Sequence, residues 1–168
     1  MPPKRLKIPK TLREVTLWVH PEGKVVGSLF LRQHSVNHAG PEEPLEVLNQ
    51  LQPFVVLQRT APEELRFYNR ASIIRLEYTG TNPCDDNGDI RPLRCQLHMM
   101  DGSLIAGSIC ESLPPDQSRL FDYLNRDVDR FIKIYLEQDD RNICLVNKSY
   151  IIQVTMPDGT RWEQSDDQ

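Results

Sequence analysis

The chain has 168 residues, a formal net charge of −4, 39% hydrophobic residues and 26% charged residues. This composition is that of an ordinary globular protein, and the length suits one domain or two small ones. No apolar run approaches the roughly 20 residues that span a bilayer, and the basic N-terminus lacks the apolar region of a secretory signal. We therefore exclude membrane-spanning, collagen-like and disulfide-stapled secreted proteins, and we expect a cytoplasmic protein.

Charge is unevenly distributed along the chain. Residues 1–13 contain five basic and no acidic side chains, whereas the remaining residues contain 15 basic and 24 acidic side chains. A basic arm ahead of an acidic body can contact nucleic acid, an anionic membrane surface or a neighbouring copy of the chain. A solvated chain end is the simpler alternative.

The first predicted elements combine strands of period two with one short helical segment. In chain order they are a strand at 15–20, a turn at 21–23, a second apolar strand, a helix over Leu45, Leu48 and Leu51, a strand at 54–58, a turn at Asn69-Arg70 and a strand ending at Leu76. Residues 79–92 are rich in Pro, Gly, Asn and Asp, which predicts a linker.

Beyond the linker the same elements recur. They are a strand at 95–99, a turn at Asp101-Gly102, a second apolar strand, a helix over Leu120, Tyr123 and Leu124, a strand at 131–136, a turn at Asn147-Lys148 and a strand ending at Val154. Asp101-Gly102 predicts a two-residue type I′ hairpin, because both central residues of that turn need a positive φ. A last hairpin and an acidic tail are predicted at 157–168.

Two long segments of the chain repeat each other. VTLWVHPEGKVVGSLFL, starting at Val15, matches CQLHMMDGSLIAGSIC, starting at Cys95, and FYNRASIIRL at 67–76 matches LVNKSYIIQV at 145–154 without a gap. We predict a tandem duplication with a basic arm at 1–13, unit one at 14–78, a linker at 79–92, unit two at 93–156 and a terminal hairpin and tail at 157–168. The predicted fold class is mainly β with short helices (α+β). It consists of two tandem β-β-α-β-β units, with room for one more strand in each, in a small-barrel or packed-sheet architecture.

Three motifs of unit two resemble those of an uncharacterised family of bacterial proteins, a domain of unknown function. They are a hairpin starting at Asp101, D-G-S-L-I-A-G for D-G-x-x-x-G with one more residue between the glycines, R-L-F-D-Y-L-N at 119–125 for R-x-x-D-x-L-N, and V-N-K-S-Y-I at 146–151 for V-N-K-x-x-I. The match covers 95–154. The family has no assigned activity, so the resemblance implies architecture and no mechanism.

Unit one carries the same motifs in degenerate form. Glu46 stands for Asp122, Asn49 for Asn125 and Arg70 for Lys148, and nothing stands for the arginine at 119. The hairpin and the final strand are also similar to those of Sm-like small barrels. That resemblance implies a barrel, and it suggests oligonucleotide binding as an alternative function without establishing it.

The candidate binding residues are the polar positions of these motifs. They are Arg119, Asp122, Asn125, Asn147 and Lys148 in unit two and Asn69 and Arg70 in unit one. Arg119 and Asp122 are three residues apart, so they form either an intrahelical ion pair or a docking contact. The Asn-Arg and Asn-Lys turns are either solvated corners or, with the basic arm, contacts to phosphate.

The sequence contains no motif for catalysis, nucleotide binding or calcium binding. His34 and His38 have a metal-ligand spacing, but they lie in a loop-like stretch with no third ligand near in sequence. The four cysteines form no C-x-x-C pair and are expected to be reduced thiols. Paired aspartates such as Asp139-Asp140 fall in predicted turns. We expect no enzymatic activity, no cofactor and no metal.

The sequence thus predicts a non-enzymatic protein-interaction or regulatory scaffold module that binds a protein partner or forms a homo-oligomer. The alternative is an Sm-like oligonucleotide-binding protein that uses the basic arm and the Asn-Arg and Asn-Lys turns. The acidic charge of the body favours the first hypothesis, because nucleic-acid affinity comes largely from neutralised phosphates.

Overall fold

The computed structural model describes residues 9–86, 88, 90–111, 120–139 and 141–157. The strands of the first half are β1 (Lys10–Val19), β2 (Gly23–Arg32), β3 (Phe54–Thr60), β4 (Glu63–Asn69) and β5 (Ile73–Thr79). Those of the second half are β6 (Leu93–Met99), β7 (Leu104–Ile109), β8 (Phe131–Leu136), β9 (Asn142–Asn147) and β10 (Ile151–Thr155). The helices are α1 (Pro44–Leu48), α2 (Pro83–Asp86) and α3 (Leu120–Leu124), and single 3-10 turns lie at Arg70–Ser72 and Lys148–Tyr150. The prediction of a mainly β fold is confirmed.

These strands form one antiparallel sheet in the order β10-β6-β7-β8-β9-β5-β1-β2-β3-β4. Each half contributes five adjacent strands, and in each half the last strand lies beside the first. The halves meet where β5 pairs with β9, which we call the internal joint. Within the described ranges β4 pairs only with β3 and β10 only with β6, so neither half closes into a barrel. We call the unpaired sides of β4 and β10 the open edges. The common origin of the two halves stays a prediction.

Alternation of apolar residues builds a core on each side of the internal joint. Val15, Leu17 and Val19 of β1 are buried, as period two predicts. The first apolar cluster combines side chains of the first half with Ile143 and Leu145 of β9 and with three further residues of the second half, Cys110, Phe131 and Tyr135. The second cluster combines side chains of the second half, including Cys144 and Val146 of β9, with Ile74 of β5. Strand β9 is therefore buried on both faces and belongs to both cores.

Two glycines at matching positions allow close approach of neighbouring strands. A Cβ at Gly27 of β2 would lie 2.6 Å from the carbonyl oxygen of Gln58 in β3, and a Cβ at Gly107 of β7 would collide with the carbonyl oxygen of Tyr135 in β8. A side chain at either position would push the strands apart, so the backbone contact requires glycine.

The turn between β6 and β7 differs from the predicted type I′ hairpin. The backbone N–H of Gly102 donates to Met99 O at 3.0 Å, and the N–H of Met99 donates to Ser103 O at 3.0 Å, which closes a longer turn. Gly102 has a φ of 85°. Asp101 Oδ1 accepts a hydrogen bond from the Ser103 N–H at 3.0 Å, and this local bond stabilises the longer turn.

Helix α1 ends earlier than the leucine spacing predicted. Pro44 lies in its first turn, and the Glu46 carboxylate accepts a hydrogen bond from the Glu43 N–H at 2.6 Å. The helix ends at Leu48. Leu51 was predicted on the apolar face, but it lies beyond the helix and is 94% exposed. Helical spacing does not apply to it, because the chain has already left the helix.

Several predictions concern segments outside the described residues. These are the basic arm over 1–8, the terminal hairpin and tail over 158–168, and the arginine at 119. The last residues of the predicted arm belong to β1, where Arg13 Nη2 donates to Thr79 O and the guanidinium lies 5.2 Å from the centre of the Tyr78 ring. This part of the arm is integrated into the sheet.

Candidate functional site

Each Asn-Arg or Asn-Lys pair forms a corner between two strands. Asn69 ends β4, and its Oδ1 accepts a hydrogen bond from the Ala71 N–H at 2.9 Å. Asn147 ends β9, and its Oδ1 accepts a hydrogen bond from the Ser149 N–H at 3.0 Å. Asparagine suits this place because its short side chain reaches the backbone two residues further on. The predicted turns are therefore single 3-10 turns, each capped by an asparagine.

The guanidinium of Arg70 is buried behind its corner. Nη2 donates to Val47 O at the end of α1 at 3.0 Å, whereas Nε and Nη1 are buried without a hydrogen-bond partner in the described part of the chain. Burial, and then the charge of Arg130, lower the pKa of Arg70. Arg70 borders a cavity of about 480 Å³, but its side chain is only 1% exposed.

Lys148 holds the matching place in the second half, and its ammonium group is satisfied. Nζ donates to Leu124 O at 3.2 Å and to Arg126 O at 2.7 Å. Burial lowers the pKa of Lys148, and the charge of Asp129 opposes that shift. Both cations thus attach the end of a short helix to a corner of the sheet, which is a structural role.

The other predicted binding residues do not converge on one site. Asn125 Nδ2 donates to Phe121 O at 2.8 Å, and the side chain is exposed. Asn125 and Lys148 border one shallow depression, whereas the Asn69-Arg70 corner belongs to the first half. Asp122 is half-buried on α3, and Arg119 lies outside the described residues.

Two asparagines bond across the internal joint. Asn147 Nδ2 donates to Ile73 O of β5 at 3.0 Å. Asn49, which follows α1, bonds twice to the backbone of Phe131 at the start of β8. Its Oδ1 accepts from the Phe131 N–H at 2.8 Å, and its Nδ2 donates to Phe131 O at 3.2 Å. Because an amide has the same donor and acceptor groups as a peptide unit, these side chains extend the strand pairing and fix its register.

The open edges carry a surface that sequence reasoning missed. Leu65 and Phe67 of β4 are 50% and 64% exposed, and Ile152 of β10 is 63% exposed. On one side, neither strand pairs with another described strand, so its backbone groups there can pair with a further strand. The available signal was the alternation of Leu65 and Phe67 with polar residues. Alternation predicts a strand, but it does not reveal which strand lies at an edge.

Histidine, cysteine and acidic side chains are the candidates for metal binding and reactive chemistry in the described part of the chain. Among the described residues, no three His, Cys, Asp or Glu side chains are grouped so that they could hold a metal ion. None of the four cysteines, Cys84, Cys95, Cys110 and Cys144, forms a disulfide. Burial raises the pKa of Cys95 to about 11 and raises that of Cys144 further, so both thiols are protonated at neutral pH.

Glu46 organises the loop that precedes α1. The groups that contact its carboxylate are Ser35 Oγ at 2.5 Å, the Glu43 N–H at 2.6 Å, Asn37 Nδ2 at 3.0 Å and His38 Nε2 at 3.1 Å. Burial alone would raise the pKa of Glu46, but these hydrogen bonds lower it to about 2. A backbone hydrogen bond, and then Glu46, raise the pKa of His38. His38 therefore helps to anchor this loop through a carboxylate.

No protein-family model, curated protein or solved structure matches the chain. The resemblances to the bacterial family and to Sm-like barrels therefore stay predictions from motifs. No helix in the described part of the chain is long and apolar enough to cross a membrane.

Proposed function

We propose that the protein is a non-enzymatic, cytoplasmic protein-binding scaffold that acts through its two open sheet edges. The observation that carries the proposal is the exposure of Leu65, Phe67 and Ile152 on strands that each have a single neighbour among the described strands. Such an edge binds a further strand by strand addition. The backbone hydrogen bonds then supply affinity, and the alternate side chains supply specificity.

Oligonucleotide binding through the corners has weaker support. Single-strand binders combine a positive groove with exposed aromatic platforms. Arg70 is buried, and Lys148 donates to carbonyl groups of its own chain, so neither cation is presented to a phosphate. The net charge of −4 also opposes phosphate binding.

Edge-blocked variants test the proposal in a pull-down from a lysate of the organism that encodes the protein. Phe67→Lys and Ile152→Lys each place a charge on one edge, which disfavours the addition of a strand. We expect the wild type to retain proteins that at least one variant loses. Met100→Lys is the matched control, because Met100 is 61% exposed but lies in the turn between β6 and β7. Identical sets of retained proteins for all four chains would contradict the proposal.

A further inference from the structure

We infer that the chain binds a second copy of itself head to tail, with the open edge of β4 in one copy paired with the open edge of β10 in the next. This inference rests on the proposed function of the edges and names their partner. The same kind of pairing already exists once within the chain. Strand β9 holds in the second half the place that β4 holds in the first, and β5 holds in the first half the place that β10 holds in the second. The internal joint is therefore a template for the contact between copies.

The strand registers define which residues of the two halves correspond. Phe54 faces Asn69 between β3 and β4, just as Phe131 faces Asn147 between β8 and β9. On the other side of the joint, Leu76 of β5 faces Leu17 of β1. In the same way, Val154 of β10 faces Leu97 of β6. The correspondence thus follows from backbone pairing as well as from the sequence repeat.

This correspondence gives a residue-level register for the contact between copies. At the internal joint Leu76 faces Leu145, with Arg75 opposite Val146 and Glu77 opposite Cys144. The equivalent contact places Val154 of one copy opposite Phe67 of the next. The flanking pairs are then Gln153 with Tyr68 and Thr155 with Arg66.

The side chains that the internal joint buries have exposed counterparts at the open edges and beside them. The exposed side chains are Leu65 at 50%, Phe67 at 64%, Phe54 at 54% and Ile152 at 63%. In the same order, their counterparts are Ile143 at 3%, Leu145 at 0%, Phe131 at 0% and Ile74 at 5%. A monomer therefore exposes at its two ends the residue types that the joint covers in its middle. Such apolar surface marks a contact with another protein.

Two asparagines lack the cross-joint bonds of their counterparts. Asn147 Nδ2 donates to Ile73 O across the joint, whereas Asn69 Nδ2 has no acceptor among the described residues. In the contact between copies, the equivalent acceptor is the carbonyl oxygen of Ile151 in the next copy. Asn125 is exposed, and its counterpart Asn49 pairs with the backbone at the start of β8. Each copy thus presents a polar group for the same contact.

Charge does not oppose the contact. Arg66 of β4 is ion-paired with Glu22 at 3.2 Å and with Glu64 in its own chain, so it brings no unpaired charge to the edge. The contact joins two different surfaces and leaves one open β4 edge and one open β10 edge on every short assembly. Head-to-tail pairing of this kind continues until a ring closes.

The first test is the mass of the purified full chain in solution, measured by light scattering on a sizing column. We expect the wild type and Met100→Lys to have the mass of several chains. Phe67→Lys and Ile152→Lys should each be monomeric, because the loss of one buried large apolar side chain weakens association by about a hundredfold. A monomeric wild type would overturn the inference.

A mixture of the two edge-blocked variants, Phe67→Lys and Ile152→Lys, provides the decisive test. Phe67→Lys retains an intact β10 edge and Ile152→Lys retains an intact β4 edge, so an equal mixture should form a dimer of one chain of each. Native mass spectrometry detects it when one variant is isotope-labelled. Recovery on mixing also shows that both variants are folded. Homodimers of a single variant, or no mixed dimer, would overturn head-to-tail pairing.

The two proposals can fail separately. A monomeric wild type whose pull-down partners are lost in an edge variant would overturn self-association and leave the protein-binding function standing. A monomeric wild type whose pull-down partners are unchanged in both edge variants would overturn both.

Discussion

Strands β9 and β4 hold equivalent places in the two halves, but among the described strands β9 has a neighbour on both sides and β4 on one. Strand β5 lies along the edge of β9, and the core of the first half packs on Ile143 and Leu145. The equivalent residues Leu65 and Phe67 of β4 remain in solvent. Both strands carry large apolar side chains at these positions. Their burial is therefore decided by the neighbouring strand and not by the local sequence, and the open edge resembles a joint that lacks its partner.

The largest expected difference in the free energy of unfolding is between alanine variants of Phe131 and Phe54. These two residues begin equivalent strands. Phe131→Ala should lower the free energy of unfolding by about 3–5 kcal/mol, because a fully buried aromatic side chain leaves a cavity. Phe54→Ala should lower it by less than about 1 kcal/mol, because that ring is half exposed. Urea unfolding followed by circular dichroism measures both effects.

Both alanine variants are compared in the Ile152→Lys background, which keeps the chain monomeric and the ring of Phe54 uncovered. Equal losses at the two positions would show that the halves are packed alike. The contrast between a covered and an open strand would then be wrong.

A second contrast separates the cations at the two corners. Lys148→Met should lower the free energy of unfolding by about 1–2 kcal/mol, because the carbonyls of Leu124 and Arg126 lose their donor. Arg70→Met removes one hydrogen bond, to Val47 O, together with a buried charge that has two unpaired N–H groups. That change should be neutral or stabilising, as for other buried charges replaced by apolar groups of similar size.

Urea unfolding of the two methionine variants at neutral pH checks this contrast. A larger loss for Arg70→Met than for Lys148→Met would show that the Arg70 charge has a compensating partner. It would also restore Arg70 as a candidate for contact with an anion.

The local elements were largely predictable from the sequence, because their signals are local. Alternation in β1 and β6, the apolar runs that became β3 and β8, and the asparagine turns all follow from residues close together in the chain. The pairing of β5 with β9 was not predictable. It joins Leu76 to Leu145, and nothing in either short segment specifies that neighbour.

The roles of the predicted site residues were harder to foresee for the same reason. The turn at Asn147 is local, but its bond to Ile73 O crosses the joint. Arg70 and Lys148 are held by carbonyls at the ends of helices more than 20 residues away in sequence. Their position in local turns predicts exposed cations. In the fold, both side chains instead donate hydrogen bonds to carbonyl groups of their own chain.

The smallest expected contrast is between the carboxylates at equivalent positions of the two short helices, Glu46 and Asp122. The pKa of Glu46 in the folded protein is about 2, below the ordinary value of 4.5. Its ionised form therefore stabilises the fold above pH 4.5, and this contribution is lost as the pH falls through 4.5 towards 2. Glu46→Gln should lower the free energy of unfolding above pH 4.5. It should also reduce the loss of this free energy as the pH falls from 4.5 to 2. The effect should be smaller than the two above, because the loop is partly exposed and solvent screens the charge.

Asp122→Asn is the matched control for this measurement. The side chain of Asp122 accepts no hydrogen bond from the described residues, in contrast to the set of donors around Glu46. Urea unfolding at a series of pH values should show a smaller loss of stability between pH 4.5 and 2 in Glu46→Gln than in Asp122→Asn. If the free energy of unfolding changed with pH in the same way in Glu46→Gln and in the wild type, its loss at acid pH would arise from other groups. The hydrogen bonds to Glu46 would then not contribute to the pH dependence of stability.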